Sequence, residues 1–296
     1  MKKWSASRAP SGRIAYVNGC YLRHGEASVH IEDRGLQLGE AVYEVCNVRH
    51  GVLIDEEPHL DRLERSLGEL GMPMPMGRAA LKLVMREMIA RNRIPDGLLY
   101  LQVSRGAAKR DHVPPSDAPR ASLIITLRAQ DVAAGSARME KGICVITRPD
   151  LRWGRCDIKT VQLLPNLMAK TEARKAGAYE AWLVEEDGSV TEGASTNAWI
   201  VDSAGDVVTR DLSHAILPGV TRRVILEAAA AAGVKVKERK FTVAEAMKAR
   251  EAFISSATGA AVPVVAIDGV TVGDGRPGPI TRRIHELYAR KAGIEA

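Results

Sequence analysis

The sequence predicts an α+β fold with two domains. Its 296 residues are enough for two domains of ordinary size. Strand-like and helix-like patterns occur in both halves, and the segment QDVAAGSARMEKG between them is small, polar and without period. We therefore expect an N-terminal α+β domain over 1–128, a linker over 129–137 and a C-terminal domain over 138–296.

The strands of the first half are predicted by turn signals between apolar runs. Asn18-Gly19 divides IAYVNGCYL, and this dipeptide favours the two-residue turn of a β-hairpin. His50-Gly51 has the same place in YEVCNVRHGVLI. Two further runs, LLYLQVSRG and ASLIITLRA, have the composition of strands.

Two helices are predicted between these strands by apolar stripes at helical spacing. The first stripe comprises Leu60, Leu63, Leu67 and Leu70. The second comprises Leu81, Val84, Met85, Met88 and Ile89. Such stripes indicate core contacts, so the spacing predicts that Arg62, which lies off the first stripe, faces solvent.

The second half mixes short strands with helices. GICVITRP predicts a strand, and PNLMAKTEARKAG predicts a helix that ends at Gly177. YEAWLVEEDGSVTEG predicts a hairpin that turns at Asp187-Gly188, and GVTRRVILEAAAAAGVKV a helix and then a strand. TVAEAMKA opens with a capping box, AVPVVAIDGVTV predicts another hairpin, and the tail from Pro279 is helical.

Composition excludes several classes of protein. No apolar run approaches the 18 or so residues of a membrane-spanning helix. The start MKKWSASRAP has no apolar core after its lysines, so we expect no secretory signal. The four cysteines are far apart in sequence, which argues against a zinc site and a disulfide framework and favours the reducing cytoplasm.

The net charge of +6 leaves two kinds of ligand open. A basic protein can bind nucleic acid, and that alternative predicts salt-sensitive DNA binding and no chromophore. Here, however, Lys and Arg are spread along the chain and aromatic residues make up only 4% of it. Anionic small molecules fit this pattern at least as well.

Lys159 is the first candidate for chemistry. From Ile158 to Asn166 it is the only charged residue, whereas solvated lysines usually have charged neighbours. An amine kept partly out of water has its protonated form disfavoured and becomes a better nucleophile. A surface lysine in a loop is the alternative that this pattern leaves open.

Three short segments in the second half could bind a charged ligand. VTEGASTN offers Glu192 as a carboxylate for a cationic ring nitrogen, with Ser195 and Thr196 close by. In LPGVTRRVIL, free N–H groups at the start of a helix form a potential anion site. SSATGA, over 255–260, is small and rich in hydroxyl groups, and could equally approach a phosphate. Each pattern alone also fits an ordinary turn.

A fourth segment, RGAAKRDHVPP, could bind a carboxylate. Arg110 and His112 stand one residue apart in a predicted loop, where two hydrogen-bond donors could hold one carboxylate group. A solvated basic loop is the alternative. Taken together, an isolated lysine, a carboxylate and two phosphate-competent turns are what a pyridoxal-phosphate enzyme requires.

The sequence resembles the class IV, fold-type IV pyridoxal-phosphate aminotransferases, and most closely the D-amino acid aminotransferases. The matching pieces occur in family order from about Ile31 to about Ile267. They are EDRGLQLGEAVYEV, HLDRLERS, YLQVSRG, RDH, DLRWGRCDIKTVQLLPNLMAK, EGASTNAW, ILPGVTR and FISSATGAAVPV. The resemblance implies a small N-terminal domain, a larger β-rich C-terminal domain and a cofactor, pyridoxal 5′-phosphate, at their junction.

The resemblance implies a role for each matching residue. Lys159 corresponds to the lysine that binds the cofactor covalently and moves the substrate proton, and Glu192 to the carboxylate at the ring nitrogen. The other cofactor contacts it implies are the phosphate ligands Arg62, Val220, Thr221 and Thr258, the apolar residue Leu217 against the ring, and Ser195, Thr196 and Ala257 beside the cofactor.

For the substrate, the resemblance implies that Tyr43, Arg110 and His112 hold the α-carboxylate. Arg110 and His112 reach in from the partner subunit in this family, so a homodimer is implied. The expected reaction exchanges the amino group of a D-amino acid, such as D-alanine, with a 2-oxo acid, such as 2-oxoglutarate. No metal, nucleic acid or membrane is expected to take part.

Four positions differ from the pattern of the D-amino acid enzymes and bear on the preferred side chain. Leu38 stands where an aromatic residue is usual, Ala194 replaces a hydroxyl residue, Val113-Pro114 replaces a QFP-type sequence, and Ala257 replaces a threonine. Branched-chain aminotransferases, (R)-amine transaminases and aminodeoxychorismate lyases share the implied fold and are the alternatives. Arg110-x-His112 argues against the first of these.

Overall fold

The computed structural model describes residues 12–117 and 119–294. The start of the chain, on which the expectation of no secretory signal rests, lies outside these residues. The chain forms two compact units. The first unit comprises Met1–Gln130 and Ile158–Gln162, and the second comprises Asp131–Asp157 and Leu163–Ala296.

In its described residues, the first unit has a six-stranded antiparallel sheet and three helices. The strand order is β2-β1-β6-β5-β3-β4. The strands are β1 (Ile14–Val17), β2 (Cys20–Arg23), β3 (Ala41–Arg49), β4 (Val52–Leu53), β5 (Gly97–Ser104) and β6 (Ser122–Ala129). The helices are α1 (Arg34–Leu38), α2 (Glu56–Glu69) and α3 (Arg78–Asn92).

Both predicted hairpins of this unit are confirmed. Asn18 and Gly19 have φ of 49° and 100°, and His50 and Gly51 have φ of 51° and 77°. Two consecutive residues with positive φ make the turn whose twist matches the flanking strands. The local sequence therefore sets the pairing of β1 with β2 and of β3 with β4.

The core of the first unit lies between the sheet and helices α2 and α3. The predicted stripes supply Leu60, Leu63, Leu81 and Met85, each no more than 1% exposed. Residues alternate along β3, so Tyr43 and its neighbours on the same face are only half-buried. This face of the sheet remains open for functional side chains.

The second unit, over its described residues, has a nine-stranded mixed sheet and five helices. The strand order is β12-β11-β10-β13-β14-β7-β8-β9, and β15 pairs with β14. The strands are β7 (Ile143–Pro149), β8 (Glu180–Val184), β9 (Val190–Gly193), β10 (Asn197–Val201), β11 (Val207–Thr209), β12 (Val236–Glu238), β13 (Glu251–Ser256), β14 (Gly259–Ile267) and β15 (Val270–Thr271). The helices are α4 (Val132–Lys141), α5 (Leu164–Lys175), α6 (Val220–Ala231), α7 (Val243–Met247) and α8 (Pro279–Lys291).

Most predicted elements of this unit are confirmed, including the capping box of α7 between Thr242 and Glu245. The predicted linker is different, because residues 132–137 form the first part of α4. Asp131 caps this helix by accepting a hydrogen bond from the N–H of Ala134 at 3.0 Å. No residue of α4 is fully buried, and its small residues, including Gly135 within the helix, resemble those of a connecting segment.

The segment Ile158–Gln162 adds a short antiparallel bridge to the first unit. Thr160 lies opposite Val42, and the N–H of Tyr43 donates to the carbonyl of Lys159 at 3.0 Å. The N–H of Val161 donates to the carbonyl of Ala41 at 3.1 Å. These bonds fix Lys159 beside the open face of β3.

No helix in the described part of the chain combines the length and the apolar character needed to cross a membrane.

Candidate active site

Lys159 is held by its backbone and directs its amine at an aromatic ring. The residue is half-buried, as its isolated position in the sequence predicts. Its Nζ lies 4.2 Å from the centroid of the Tyr43 ring, and its N–H faces Ser66 Oγ at 3.4 Å. A cation over an aromatic face is weakly attracted to it, and no ion pair to Lys159 is found among the described residues.

Tyr43 is itself supported by a second tyrosine on the same face of the sheet. The rings of Tyr43 and Tyr100 stack with their centroids 5.6 Å apart, and Tyr100 donates to Gln102 Oε1 at 2.7 Å. Burial, with a smaller effect of Tyr43, raises the pKa of Tyr100 to about 12. Tyr100 therefore stays neutral and acts as an aromatic support for Tyr43.

Arg62 is buried, and the expectation that it faces solvent is wrong. Its Nε donates to Glu44 Oε1 at 2.8 Å and its Nη2 to Glu44 Oε2 at 2.7 Å, in a two-pronged ion pair. His59 Nδ1 lies 2.7 Å from the same Oε2. Burial acts to raise the pKa of Glu44, but Arg62 and then His59 outweigh it and lower this pKa to about 2. A buried carboxylate on β3 thus explains why an arginine off the leucine stripe turns inward.

Arg110 and His112 lie in the exposed loop that follows β5. The loop is anchored at its centre, because Arg34 Nη1 donates to the carbonyl of Asp111 at 2.8 Å. Arg34 is 2% exposed, and its N–H also donates to the carbonyl of Gly106 at 2.9 Å. Among the described residues, no hydrogen bond joins Arg110 or His112 to Tyr43.

In the second unit, Glu192 lies within strand β9 and is 5% exposed. Its Oε1 accepts from the N–H of Leu217 at 3.2 Å and its Oε2 from Asn197 Nδ2 at 2.9 Å. Oε1 also accepts from Arg152 Nη1. Burial raises the pKa of Glu192, and the charge of Arg152 opposes but does not cancel this effect. Glu192 is therefore a fixed carboxyl group that a further cation would keep ionised.

Arg152 and Asp150 are the site residues that the sequence reasoning missed. Arg152 Nε and Nη2 donate to the two oxygens of Asp150 at 2.9 and 2.7 Å, and Thr191 Oγ1 donates to Asp150 at 2.7 Å. Both residues lie in DLRWGRCDIKT, a piece that matches the family, and this match is the sequence feature that could have pointed to them. Nothing in the sequence indicates that Arg152 faces Glu192, which is 40 residues further on.

The start of α6 presents N–H groups that no side chain caps, as the sequence predicts. The helix begins at Val220 and Thr221, both buried, after Gly219 as N-cap. A Cβ at Gly219 would lie 2.1 Å from Asn197 Oδ1, so only glycine lets the chain pass this close. Asn197 Nδ2 also donates to the carbonyl of Leu217 at 3.1 Å, which fixes the approach to the helix.

The hydroxyl-rich turn follows β13, the strand that pairs with β10. Asn197 of β10 pairs with Ser255 of β13, and the turn continues through Ala257 to Thr258. Ser256 Oγ and Thr258 Oγ1 are 3.0 Å apart. The start of α6 and this turn therefore combine helix N–H groups with hydroxyl donors, a suitable set for a phosphate.

The turn after β9 brings two more hydroxyl groups. Ser195 donates to the buried Glu180 at 2.7 Å, and Asn166 Nδ2 holds the carbonyl of Ala194 at 2.8 Å. Thr196 Oγ1, by contrast, is buried without a hydrogen-bond partner among the described residues. A buried hydroxyl without a partner is rare, and here it indicates a ligand that would complete it.

These observations fit pyridoxal phosphate. The uncapped helix start suits the phosphate, and the buried carboxyl group of Glu192 suits the ring nitrogen. The unpartnered Thr196 hydroxyl offers one more polar contact. The first unit, taken by itself, carries the half-buried amine of Lys159 and the buried guanidinium group of Arg62.

The fold and these side chains define a pyridoxal-phosphate enzyme. The family model described as amino-transferase class IV matches residues 41–267. The D-alanine aminotransferase of Listeria monocytogenes serotype 4b (strain F2365) is 38% identical over 276 residues, which cover 93% of this chain and 94% of the relative. This protein belongs to the class IV aminotransferase family and is a pyridoxal-phosphate-dependent aminotransferase of fold type IV.

Solved structures of branched-chain aminotransferases have the same fold. The Escherichia coli structure has a TM-score of 0.87 at 25% identity and covers 96% of each chain. The structure from the archaeon Thermoproteus uzoniensis with norvaline has a TM-score of 0.83 at 25% identity and covers 95% of each chain.

Proposed function

We propose that this enzyme transfers the amino group of a D-amino acid, such as D-alanine, to a 2-oxo acid such as 2-oxoglutarate. The observation that carries the proposal is the 38% identity, over 93% of this chain, to an enzyme named D-alanine aminotransferase. The Arg110-x-His112 pair in an anchored loop supports it, because these donors suit the carboxylate that both substrates carry.

We propose the following roles for the residues of the chain. Lys159 would hold the cofactor covalently, and once the substrate amine has displaced it, its free Nζ would accept and return the proton of the substrate Cα. Bound pyridoxal phosphate supplies an electron sink for the electrons of the broken bond. Glu192 holds the proton on the ring nitrogen, which strengthens that sink.

The remaining proposed contacts hold the cofactor and the substrate. The phosphate is bound by Arg62, Val220, Thr221 and Thr258, with Ser195, Thr196 and Ala257 as further cofactor contacts. Leu217 packs against the ring. Tyr43, Arg110 and His112 hold the α-carboxylate, and this fixes which substrate bond points towards Lys159.

The test of the lysine uses a covalent trap. Lys159→Ala should abolish turnover and leave the cofactor bound only non-covalently. Borohydride reduction of the wild-type protein, followed by peptide mapping, should find the cofactor attached to Lys159. Attachment to another lysine would show that the assignment is wrong.

The test of substrate handedness compares D-alanine, L-alanine and L-leucine, each with 2-oxoglutarate. A site that fixes the carboxylate on one side of the ring presents the Cα–H of only one enantiomer to Lys159, so we expect strong selectivity for one hand. The similarity to a D-alanine aminotransferase makes D-alanine the expected substrate. A branched-chain function is the second candidate, since the two solved structures described above at 25% identity have that name. Faster turnover of L-leucine than of every D-amino acid would favour it.

We also propose a cytoplasmic homodimer. Helix α5 exposes three large apolar residues at helical spacing, Leu164, Leu167 and Met168, which are 68%, 59% and 55% exposed. Such a face is typical of a surface that a partner covers. The four cysteines are all free, which suits a reducing compartment.

Complementation tests whether the loop serves the partner's site. Arg110→Ala should impair amino acids and 2-oxo acids far more than simple amines, whereas Lys109→Ala, in the same exposed loop, should have little effect. Co-expression of Arg110→Ala and Lys159→Ala chains should then partly restore activity, because mixed dimers combine an intact lysine with an intact loop. Activity that stays absent would place both residues in a site built by one chain.

A further inference from the structure

The buried cluster of Asp150, Arg152 and Glu192 has an unusual charge balance. Arg152 is the one cation that contacts either carboxylate among the described residues, and its side chain is 7% exposed. The side chains of Asp150 and Glu192 are 12% and 6% exposed. With all three groups ionised, the cluster carries one net negative charge in a site with little water.

Arg152 is shared unequally between the two carboxylates. Its Nε and Nη2 bind both oxygens of Asp150, whereas only Nη1 is directed at Glu192. Thr191 Oγ1 adds a further hydrogen bond to Asp150 at 2.7 Å. Asp150 is therefore the better satisfied carboxylate, and Glu192 keeps most of the uncompensated charge.

The directions of the pKa shifts agree with this unequal sharing of Arg152. Burial acts to raise the pKa of both carboxyl groups. For Asp150 the hydrogen bonds and charge of Arg152 outweigh burial and the pKa falls, whereas for Glu192 burial prevails and the pKa rises. Nearby, Cys156 adds no charge, since burial raises the pKa of its thiol to about 11.

We propose that Asp150 is a positioning residue that acts through Arg152 to reserve one negative charge at Glu192 for the protonated ring nitrogen of the cofactor. If Arg152 contacted Glu192 alone, the pair would be neutral, and it would stabilise a proton on the ring nitrogen only weakly. With Asp150 present, the ring cation brings the cluster to neutrality. The inference rests on the proposed position of Glu192 at the ring nitrogen.

The structure also limits what else Asp150 could do. Its side-chain contacts are with Arg152 and Thr191, together with the N–H of Arg152 at 3.2 Å. Arg152 in turn donates from Nη2 to the carbonyl of Ala215 at 2.9 Å, just before the segment that reaches Leu217. Replacing Asp150 by a neutral residue of the same shape should therefore change the charge of the cluster and leave these backbone contacts in place.

The experiment compares two cofactors that differ only at the ring nitrogen. The full chain is stripped of cofactor, and its affinity is measured for pyridoxal phosphate and for the 1-deaza analogue, in which a CH group replaces the nitrogen. Wild type should prefer pyridoxal phosphate. Asp150→Asn should lower this preference about tenfold. The affinity for pyridoxal phosphate should fall and that for the 1-deaza analogue should not, because only pyridoxal phosphate has a ring cation that the lost negative charge would stabilise.

A matched control is Asp268, which follows β14 and binds the neighbouring strand β7. Its carboxylate accepts from the N–H of Thr147 at 2.8 Å and from the Thr147 hydroxyl at 2.6 Å, and no contact joins it to Arg152 among the described residues. Asp268→Asn should leave the preference unchanged. If Asp150→Asn does not fold, as judged by circular dichroism, Asp150→Ser serves as a second neutral variant that leaves room for water.

The outcomes separate the inference from the proposed function. A preference that Asp150→Asn or Asp150→Ser leaves at the wild-type value overturns the role of Asp150. A wild-type protein that binds both cofactors equally contradicts the position of Glu192 at the ring nitrogen, and hence the proposed function of that residue. A preference lowered equally by Asp268→Asn would show a general loss of fold, and this also overturns the inference.

Discussion

Glu44 in the first unit and Glu192 in the second are both buried glutamates that face a buried arginine, yet their pKa values move in opposite directions. Glu44 has Arg62 on both oxygens and His59 as a further partner, and its pKa falls to about 2. Glu192 shares Arg152 with Asp150, and its pKa rises. The number of cations available to each carboxylate, more than its burial, separates the two.

The difference shows that a buried glutamate–arginine pair can either stabilise the fold or leave charge available to a ligand. The Glu44 pair is complete within the chain, so it holds Arg62 in place. Glu192 shares its arginine with Asp150, so under the proposed function its remaining negative charge is available to a cation of the cofactor.

Glu44→Gln should have the largest effect, on stability. The change leaves Arg62 charged and buried without its carboxylate, which should lower the free energy of unfolding by about 3–5 kcal/mol at neutral pH. Urea denaturation monitored by circular dichroism measures this. Glu87→Gln, in an exposed pair with Arg91, is the control, and its cost should be below about 1 kcal/mol. Equal costs would mean that the buried pair contributes no more than a surface pair.

The acid dependence of stability tests the same carboxylate. Because the pKa of Glu44 is lowered from 4.5 to about 2, its ionised form stabilises the fold at neutral pH. That contribution should be lost as the pH falls from about 4.5 towards 2, and it amounts to roughly 3 kcal/mol. The wild-type free energy of unfolding should therefore fall more steeply with acid than that of Glu44→Gln. Parallel curves would contradict the lowered pKa.

Glu192→Gln should have its effect on catalysis. The amide cannot hold a proton on the ring nitrogen, so transition-state stabilisation should fall by roughly 3 kcal/mol, measured as kcat/KM for the amino acid. The free energy of unfolding should change less than in Glu44→Gln. Burial raises the pKa of Glu192, so the substitution also removes a buried charge that the fold disfavours. Rates near those of the wild type would rule out the role of Glu192 at the ring.

Thr196→Val should have the smallest effect. The hydroxyl of Thr196 has no partner among the described residues, so its removal should leave the stability of the cofactor-free protein unchanged or raise it by up to about 1 kcal/mol. Cofactor affinity should fall, because one contact to it is lost. A marked loss of stability without cofactor would show that the hydroxyl has a structural partner after all.

Local patterns predicted most of the fold. The turns at Asn18-Gly19 and His50-Gly51 and the stripes of α2 and α3 depend on neighbouring residues only, so the sequence reveals them. Helix α4 was not predicted because its small and polar residues, with Gly135 among them, resemble those of a loop. The contacts with β14 that order this helix involve residues far away in the sequence.

The candidate site was less accessible to sequence reasoning. Lys159 alone is a weak signal, and only the family order of the motifs gave it weight. Arg62 has the helical position of an exposed residue, and its burial depends on Glu44, which is 18 residues away on a strand. Arg152 and its partner Glu192 are separated further still. Contacts between distant residues depend on tertiary packing, which periodicity does not encode.

The five residues Ile158–Gln162 have a consequence for any attempt to divide this protein. They belong to the first unit, although the chain on both sides of them belongs to the second. A fragment cut at Gln130 would lack Ile158 from its core, and the N–H of Tyr43 would lose the carbonyl of Lys159. The second unit, produced separately, would carry this lysine without the strand that orders it. A division of the chain at Gln130 therefore separates Lys159 from the backbone hydrogen bond that holds it beside Tyr43, and two fragments would have to re-form that bond to restore the arrangement.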